Sequence, residues 1–167
     1  DDAEQKNTQI QKLIDEEVDV LLINPVDGEA VVEAIEAANE ADIPVFTIDR
    51  SAAGGEIVSH IASDNRAGGA MAADYLAETI DRSGDVVELQ GSPGTSAAEA
   101  RGAGFNEAIA EYEDITIVAA ESANFNREQG REVFASILEE HDSIDGVFAH
   151  NDEMILGAIE AAEEAGR

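Results

Sequence analysis

The chain has no cysteine and no tryptophan in 167 residues, three prolines, and only two lysines, Lys6 and Lys12. Without cysteine there is no thiol nucleophile, disulfide or cysteine-ligated metal, and the redox compartment stays open. No apolar run approaches the roughly 18–20 residues that a membrane helix needs, so this segment is not expected to insert into a bilayer. A basic-then-apolar leader is also missing, which carries no weight because the chain opens inside an expected helix. Basic residues are scarce: nine Lys and Arg stand against 38 Asp and Glu, a formal net charge of −29. Such a field repels a phosphate backbone, and direct nucleic-acid binding is disfavoured. The acids are spread along the chain rather than gathered in a tail. Salt must screen their mutual repulsion, with a Debye length of about 3 Å at 1 M. A halophilic surface, adapted to high salt, is the expectation.

What remains is ample for a core, since 44% of the residues are hydrophobic. Helical spacing of Ile10, Leu13, Ile14 and Val18 predicts a helix over 1–17. A buried strand over 18–23 closes at Asn24-Pro25, and an alanine-rich helix covers 29–41. The run Ile43-Pro44-Val45-Phe46-Thr47-Ile48 predicts a strand covered on both faces that ends abruptly in Asp49-Arg50. Gly54-Gly55 turn the chain into a short strand over 57–62, and Asp64-Asn65 cap a helix over 67–80. Strands over 85–90, 115–119 and 146–149 then alternate with helices over 96–111, 127–140 and 152–165. Strands separated by helices imply βαβ units and parallel sheets. The fold class is α/β.

Several polar residues share one address, the carboxyl end of a strand or the helix start beyond it. They are Asn24, Asp49 with Arg50, Gln90, and Asn151 with Asp152; Arg101 follows in the helix after Gln90, and Phe125 follows the next strand. Singly, such residues read as ordinary helix caps, and Phe125 as core. Together they count for more, because open α/β folds place ligands along that rim. A carboxylate accepts hydrogen bonds, a guanidinium donates and an amide does both. One Asp, two Arg, one Asn and an aromatic face suit the hydroxyls and C–H edges of a polyol or sugar. Only seven arginines occur in the chain, so two on this rim carry weight.

Other chemistries fail on inspection. Gly91-Ser92-Pro93-Gly94-Thr95-Ser96 lacks the Gly-Lys-Ser/Thr of a phosphate loop and the G-x-G-x-x-G of a dinucleotide turn. No nucleophile elbow occurs. His60, His141 and His150 are scattered, without metal-site spacing, and read as structural or surface residues. Neither a metal nor a cofactor is expected, and the chain is not expected to be an enzyme.

Five stretches carry a resemblance. Leu21-Leu22-Ile23-Asn24-Pro25, Ile43 to Arg50, Val58 to Asn65, Glu88-Leu89-Gln90-Gly91 with Gly94-Thr95-Ser96-Ala97-Ala98, and Asn151-Asp152-Glu153-Met154 resemble the ribose-binding proteins. These are extracytoplasmic sugar-binding components of ABC transporters. The similarity runs along essentially the whole chain, in order. It implies two Rossmann-like lobes with parallel sheets, the type I periplasmic binding protein fold, joined by a hinge and closing on a sugar. It places the first lobe over 1–63 and the second over 64–167, both incomplete, so the segment alone is not expected to bind sugar. It assigns sugar hydroxyls to Asp49, Arg50, Arg101 and Asn151, and stacking on the sugar to Phe125. Asn24 and Gln90 fall back to support or capping. The implied function is capture of a monosaccharide, ribose or a similar pentose, and delivery to an ABC transporter permease outside the cytoplasm. The alternative is the effector domain of a LacI-type transcriptional regulator, which shares the fold. Asp49-Arg50, the Gly94–Ala98 stretch and the acidity weigh against it.

Overall fold

A computed structural model describes residues 2–167 of the chain. It contains two compact units, one formed by Asp1–Ser63 with Gly94–Ala97, the other by Asp64–Pro93 with Ala98–Arg167.

The first unit begins with α1 (Ala3–Asp15), followed by β1 (Leu21–Ile23), α2 (Val32–Glu40), β2 (Val45–Ile48) and β3 (Ser59–Ile61). Of the helix expected over 1–17, Asp1 lies outside the described residues. Asp2 opens α1 by accepting from the N–H groups of Glu4 and Gln5, which satisfies donors that a helix start leaves unpaired. The three strands pair in parallel in the order β1-β2-β3, with Leu21 opposite Val45 and Phe46 opposite Ser59. Ile10, Leu21, Ile23, Ile35, Ala38 and Val45 form the core between the sheet and the two helices. β1 starts later than the sequence suggests, because Val18 packs on this core from the turn after α1 while Val20 is exposed.

Coverage of β2 on both faces is not what the unit shows. Strand alternation sends Leu21, Ile23, Val45 and Thr47 to the buried face, whereas Leu22, Ile48 and Ile61 on the other face are exposed. Helices α1 and α2 pack into the same core, on the same side.

The second unit comprises α3 (Asn65–Thr79), β4 (Gly84–Gln90), α4 (Ser96–Ile109) from Ala98 onward, β5 (Ile115–Ser122), α5 (Arg127–Glu140), β6 (Gly146–Ala149) and α6 (Asp152–Ala165). Its sheet is also parallel, in the order β5-β4-β6. Val87 and Leu89 of β4 meet Phe134 and Ile137 of α5 and Ala158 and Ala161 of α6. On the other side Ala73 and Ala77 of α3 pack with Phe105 and Ile109 of α4, and Phe105 stacks on Phe148 of β6 with ring centroids 4.2 Å apart. Helices α3 and α4 approach so closely that a Cβ at Gly69 would collide with the carbonyl of Arg101, and one at Gly104 with that of Arg66. That contact seats the turn of α4 that carries Arg101.

Chain order reverses around β4, with β5 on one side and β6 on the other. Such a switch point opens a crevice beyond the strands' carboxyl ends, where open α/β sheets bind ligands. Among the described residues, no helix is long and apolar enough to cross a membrane.

Candidate functional site

The polar residues expected at strand ends fall into two sets, one in each unit. In the first unit Asn24 follows β1 and Asp49 follows β2. Because these strands are parallel neighbours, their ends lie side by side, and the Asn24 amide donates to Asp49 Oδ2 at 3.3 Å. Asn24 thus supports the acid. Arg50 comes next, with Nη1 at 3.4 Å from the carbonyl of Val26.

In the second unit Arg101, Phe125 and Asn151 gather around the ends of β4 and β6. Arg101 donates from Nε to Asn65 Oδ1 at 2.9 Å and from Nη1 to the carbonyl of His150. A guanidinium has five N–H donors in a fixed fork, so this anchoring leaves others to aim elsewhere. Asn151 caps α6, its Oδ1 accepting from the Met154 N–H at 3.0 Å, while its amide nitrogen donates to the carbonyl of Phe125 at 3.3 Å. The capping expected of Asn151 is therefore present, and the amide keeps one further donor and one further acceptor. The Phe125 ring lies over the backbone of Gly91, where no side chain would fit.

Backbone strain gathers at the same places. Among the described residues, seven non-glycine residues have positive φ. Glu17, Asp42, Asp81 and Arg82 do so at the ends of α1, α2 and α3, where left-handed caps are common. The other three are Asp49 (φ 66), Asn124 (φ 52) and Phe125 (φ 58). At Asp49 the Arg50 N–H bonds back to the carbonyl of Ile48 at 2.7 Å, a tight γ-turn of the rarer hand. Strain of this kind costs about 1–3 kcal/mol per residue and clusters at binding sites.

Beneath the second set lies a network that motif reading missed. Glu88 is 1% exposed and His150 4%, and among the described residues Glu88 is the only buried acid. Glu88 Oε1 lies 2.9 Å from His150 Nε2. Asn106 donates to both carboxylate oxygens, at 3.3 and 3.2 Å, and Gln90 to Oε2 at 3.2 Å. Gln90 is thus support, beneath the rim. Burial pushes the Glu88 carboxyl up, but hydrogen bonds from His150, Asn106 and Gln90 hold it below its ordinary range. A charge inside the apolar run Val86-Val87-Glu88-Leu89 was the available signal. Among the described residues, no group of three or more histidines and acids could hold a metal ion.

Comparison with known proteins agrees with this architecture. The family described as "Periplasmic binding protein domain" matches residues 1–167. The ribose import binding protein RbsB of Escherichia coli (strain K12) is 49% identical over 148 residues, 89% of this chain and 50% of that protein. Its namesake in Bacillus subtilis (strain 168) is 44% identical over 166 residues, 99% of this chain and 54% of that protein. Among solved structures, the fructose-binding periplasmic domain of a hybrid two-component system superposes with a TM-score of 0.96 at 32% identity, covering 99% of this chain and 55% of that one. The chain spans about half the length of the curated relatives it matches.

The lowered titration of Glu88 has a consequence in acid. A depressed carboxyl contributes stability that is complete above its ordinary titration range and is lost as the pH falls through the lowered one. In the whole protein, Glu88→Gln should therefore flatten the acid limb of unfolding free energy against pH. Superimposable acid limbs for the two proteins would contradict this role.

Proposed function

The chain belongs to the periplasmic binding protein family, and from that membership we propose that the whole protein is an extracytoplasmic sugar-binding protein. It captures a monosaccharide, ribose or a similar pentose, and delivers it to the permease of an ABC transporter. In this reading residues 1–63 are part of one lobe and 64–167 part of the other. The protein catalyses no reaction and uses no cofactor.

The observation that carries the reading is the kind of group found at the strand ends. Asp49 accepts, Arg50 and Arg101 donate, Asn151 accepts or donates, and Phe125 offers a flat apolar face. Sugar hydroxyls need both kinds of partner, and sugar C–H edges need the ring. The names of the 49% and 44% identical relatives, both ribose import binding proteins, favour a pentose. A ligand that bonds to groups from both lobes favours whichever arrangement lets it reach both, by its differential affinity for that state. The permease then has a liganded conformation to recognise.

Salt adaptation is a second part of the proposal. It rests on the net charge of −29 and on the exposure of nearly every acid in the described residues. Mutual repulsion among these charges weakens as the Debye length shrinks to about 3 Å at 1 M salt.

Two measurements test the proposal. Titrating pentoses and hexoses into the whole protein in high salt should give saturable calorimetric binding of a pentose. Charge-assisted hydrogen bonds are worth roughly 1.5–3 kcal/mol, so Arg101→Ala should weaken that binding at least about tenfold; unchanged affinity discards the Arg101 assignment. Dialysis into low-salt buffer should reduce the helical circular dichroism of the whole protein, and a full signal there removes the case for salt adaptation.

A further inference from the structure

We infer that the buried Glu88–His150 pair is a positioning device that aims Arg101, Phe125 and Asn151, and that it works with His150 in one tautomer. The inference rests on the sugar-binding reading for what these residues bind, but not for how they are held.

The tautomer follows from geometry. The backbone N–H of Gly91 points at His150 Nδ1 from 3.1 Å. An N–H can only donate, so Nδ1 presents its lone pair. The ring proton then sits on Nε2 and is donated to Glu88 Oε1 at 2.9 Å, as required by a carboxylate whose other partners, Asn106 and Gln90, are amide donors. The orientation of the imidazole is thus held at both nitrogens.

Each of the three ligand candidates lies one link from this ring. The carbonyl of His150 takes the Arg101 Nη1 donor. Asn151 is the next residue in the chain. Gly91, held at its N–H by the ring and at its carbonyl by Ser122 Oγ at 3.0 Å, is the floor under the Phe125 ring. There is little slack: a Cβ on Gly102 would stand 3.2 Å from both Glu88 Oε1 and His150 Cε1.

A purely structural role explains this arrangement less well. Burying an ionised carboxylate carries a desolvation penalty, and well-packed apolar residues often stabilise a core as well or better. What apolar packing cannot supply is a directed acceptor that fixes one ring orientation, and through it the Gly91 loop and the His150 carbonyl.

The test uses the whole protein. With the histidines labelled with nitrogen-15, His150 at neutral pH should show an unprotonated Nδ1 and a protonated Nε2; an Nδ1–H tautomer or a doubly protonated ring overturns the inference. His150→Phe removes both nitrogens and should shift the Arg101 Nε–H and Asn151 amide resonances of the ligand-free protein and weaken pentose binding tenfold or more. His150→Gln, which can still donate to Glu88 and accept from Gly91, should restore the resonances and bring affinity within about threefold of wild type. If H150F does not fold, His150→Asn, which reaches Gly91 but falls short of Glu88, replaces it with the same expectation. A folded H150F or H150N protein with wild-type resonances and affinity overturns the inference. If the wild-type protein binds no pentose or hexose, the sugar reading falls, and the resonances alone decide whether the pair positions these side chains.

Discussion

Parallel pairing constrains this chain more than any single contact. Strands running the same way cannot be joined by a tight turn and need a crossover, most often a helix. The recurring helices therefore follow from the pairing. The same rule sends every strand of a sheet out at one edge, so the residue after each strand arrives at a common rim. Asn24 and Asp49 meet in this way in the first unit. In the second, the reversal of strand order around β4 brings Gly91 and His150 together. Polar side chains at these ends are free of the ladder and can serve a ligand.

Each unit's rim is held in shape at an energetic cost. Asp49 and Phe125 sit in left-handed backbone conformations that neighbouring strands and turns over-determine: the Asp49 N–H is tied to the carbonyl of Ile61 at 2.8 Å, and the Phe125 carbonyl to Asn151. Glu88 keeps its charge in a buried place because three side chains donate to it. Within the second unit, strain at Phe125 and the satisfied buried charge of Glu88 serve one end in the proposed reading, side chains that lose little freedom when a ligand arrives.

Much of this was legible in the sequence, and the remainder has physical reasons. The alternation of apolar runs and amphipathic helices marked every element, since the two periodicities differ so clearly. The addresses of Asp49, Arg50, Arg101, Phe125 and Asn151 followed from where those elements end. Burial by face did not follow: Val45 and Ile48 belong to the same apolar run, yet one is fully buried and the other 37% exposed. Which helices cover which face is a tertiary fact. Nor could His150 be separated from His60 and His141, because its meaning comes from Glu88, 62 positions away along the chain. The left-handed turn at Asp49 was hidden for a similar reason: the hydrogen bond that Asp49 N–H donates to the carbonyl of Ile61 on the neighbouring strand holds it against local preference.

The central claim is that the strand-end side chains of both units are the ligand groups of a sugar-binding protein. A crystal structure of the whole protein grown with D-ribose tests it most directly. The account predicts sugar hydroxyls within hydrogen-bonding distance of the Asp49 carboxylate and of the Arg50 and Arg101 guanidinium groups, with the sugar's C–H face on the Phe125 ring. Ribose bound with none of these residues in contact would contradict it.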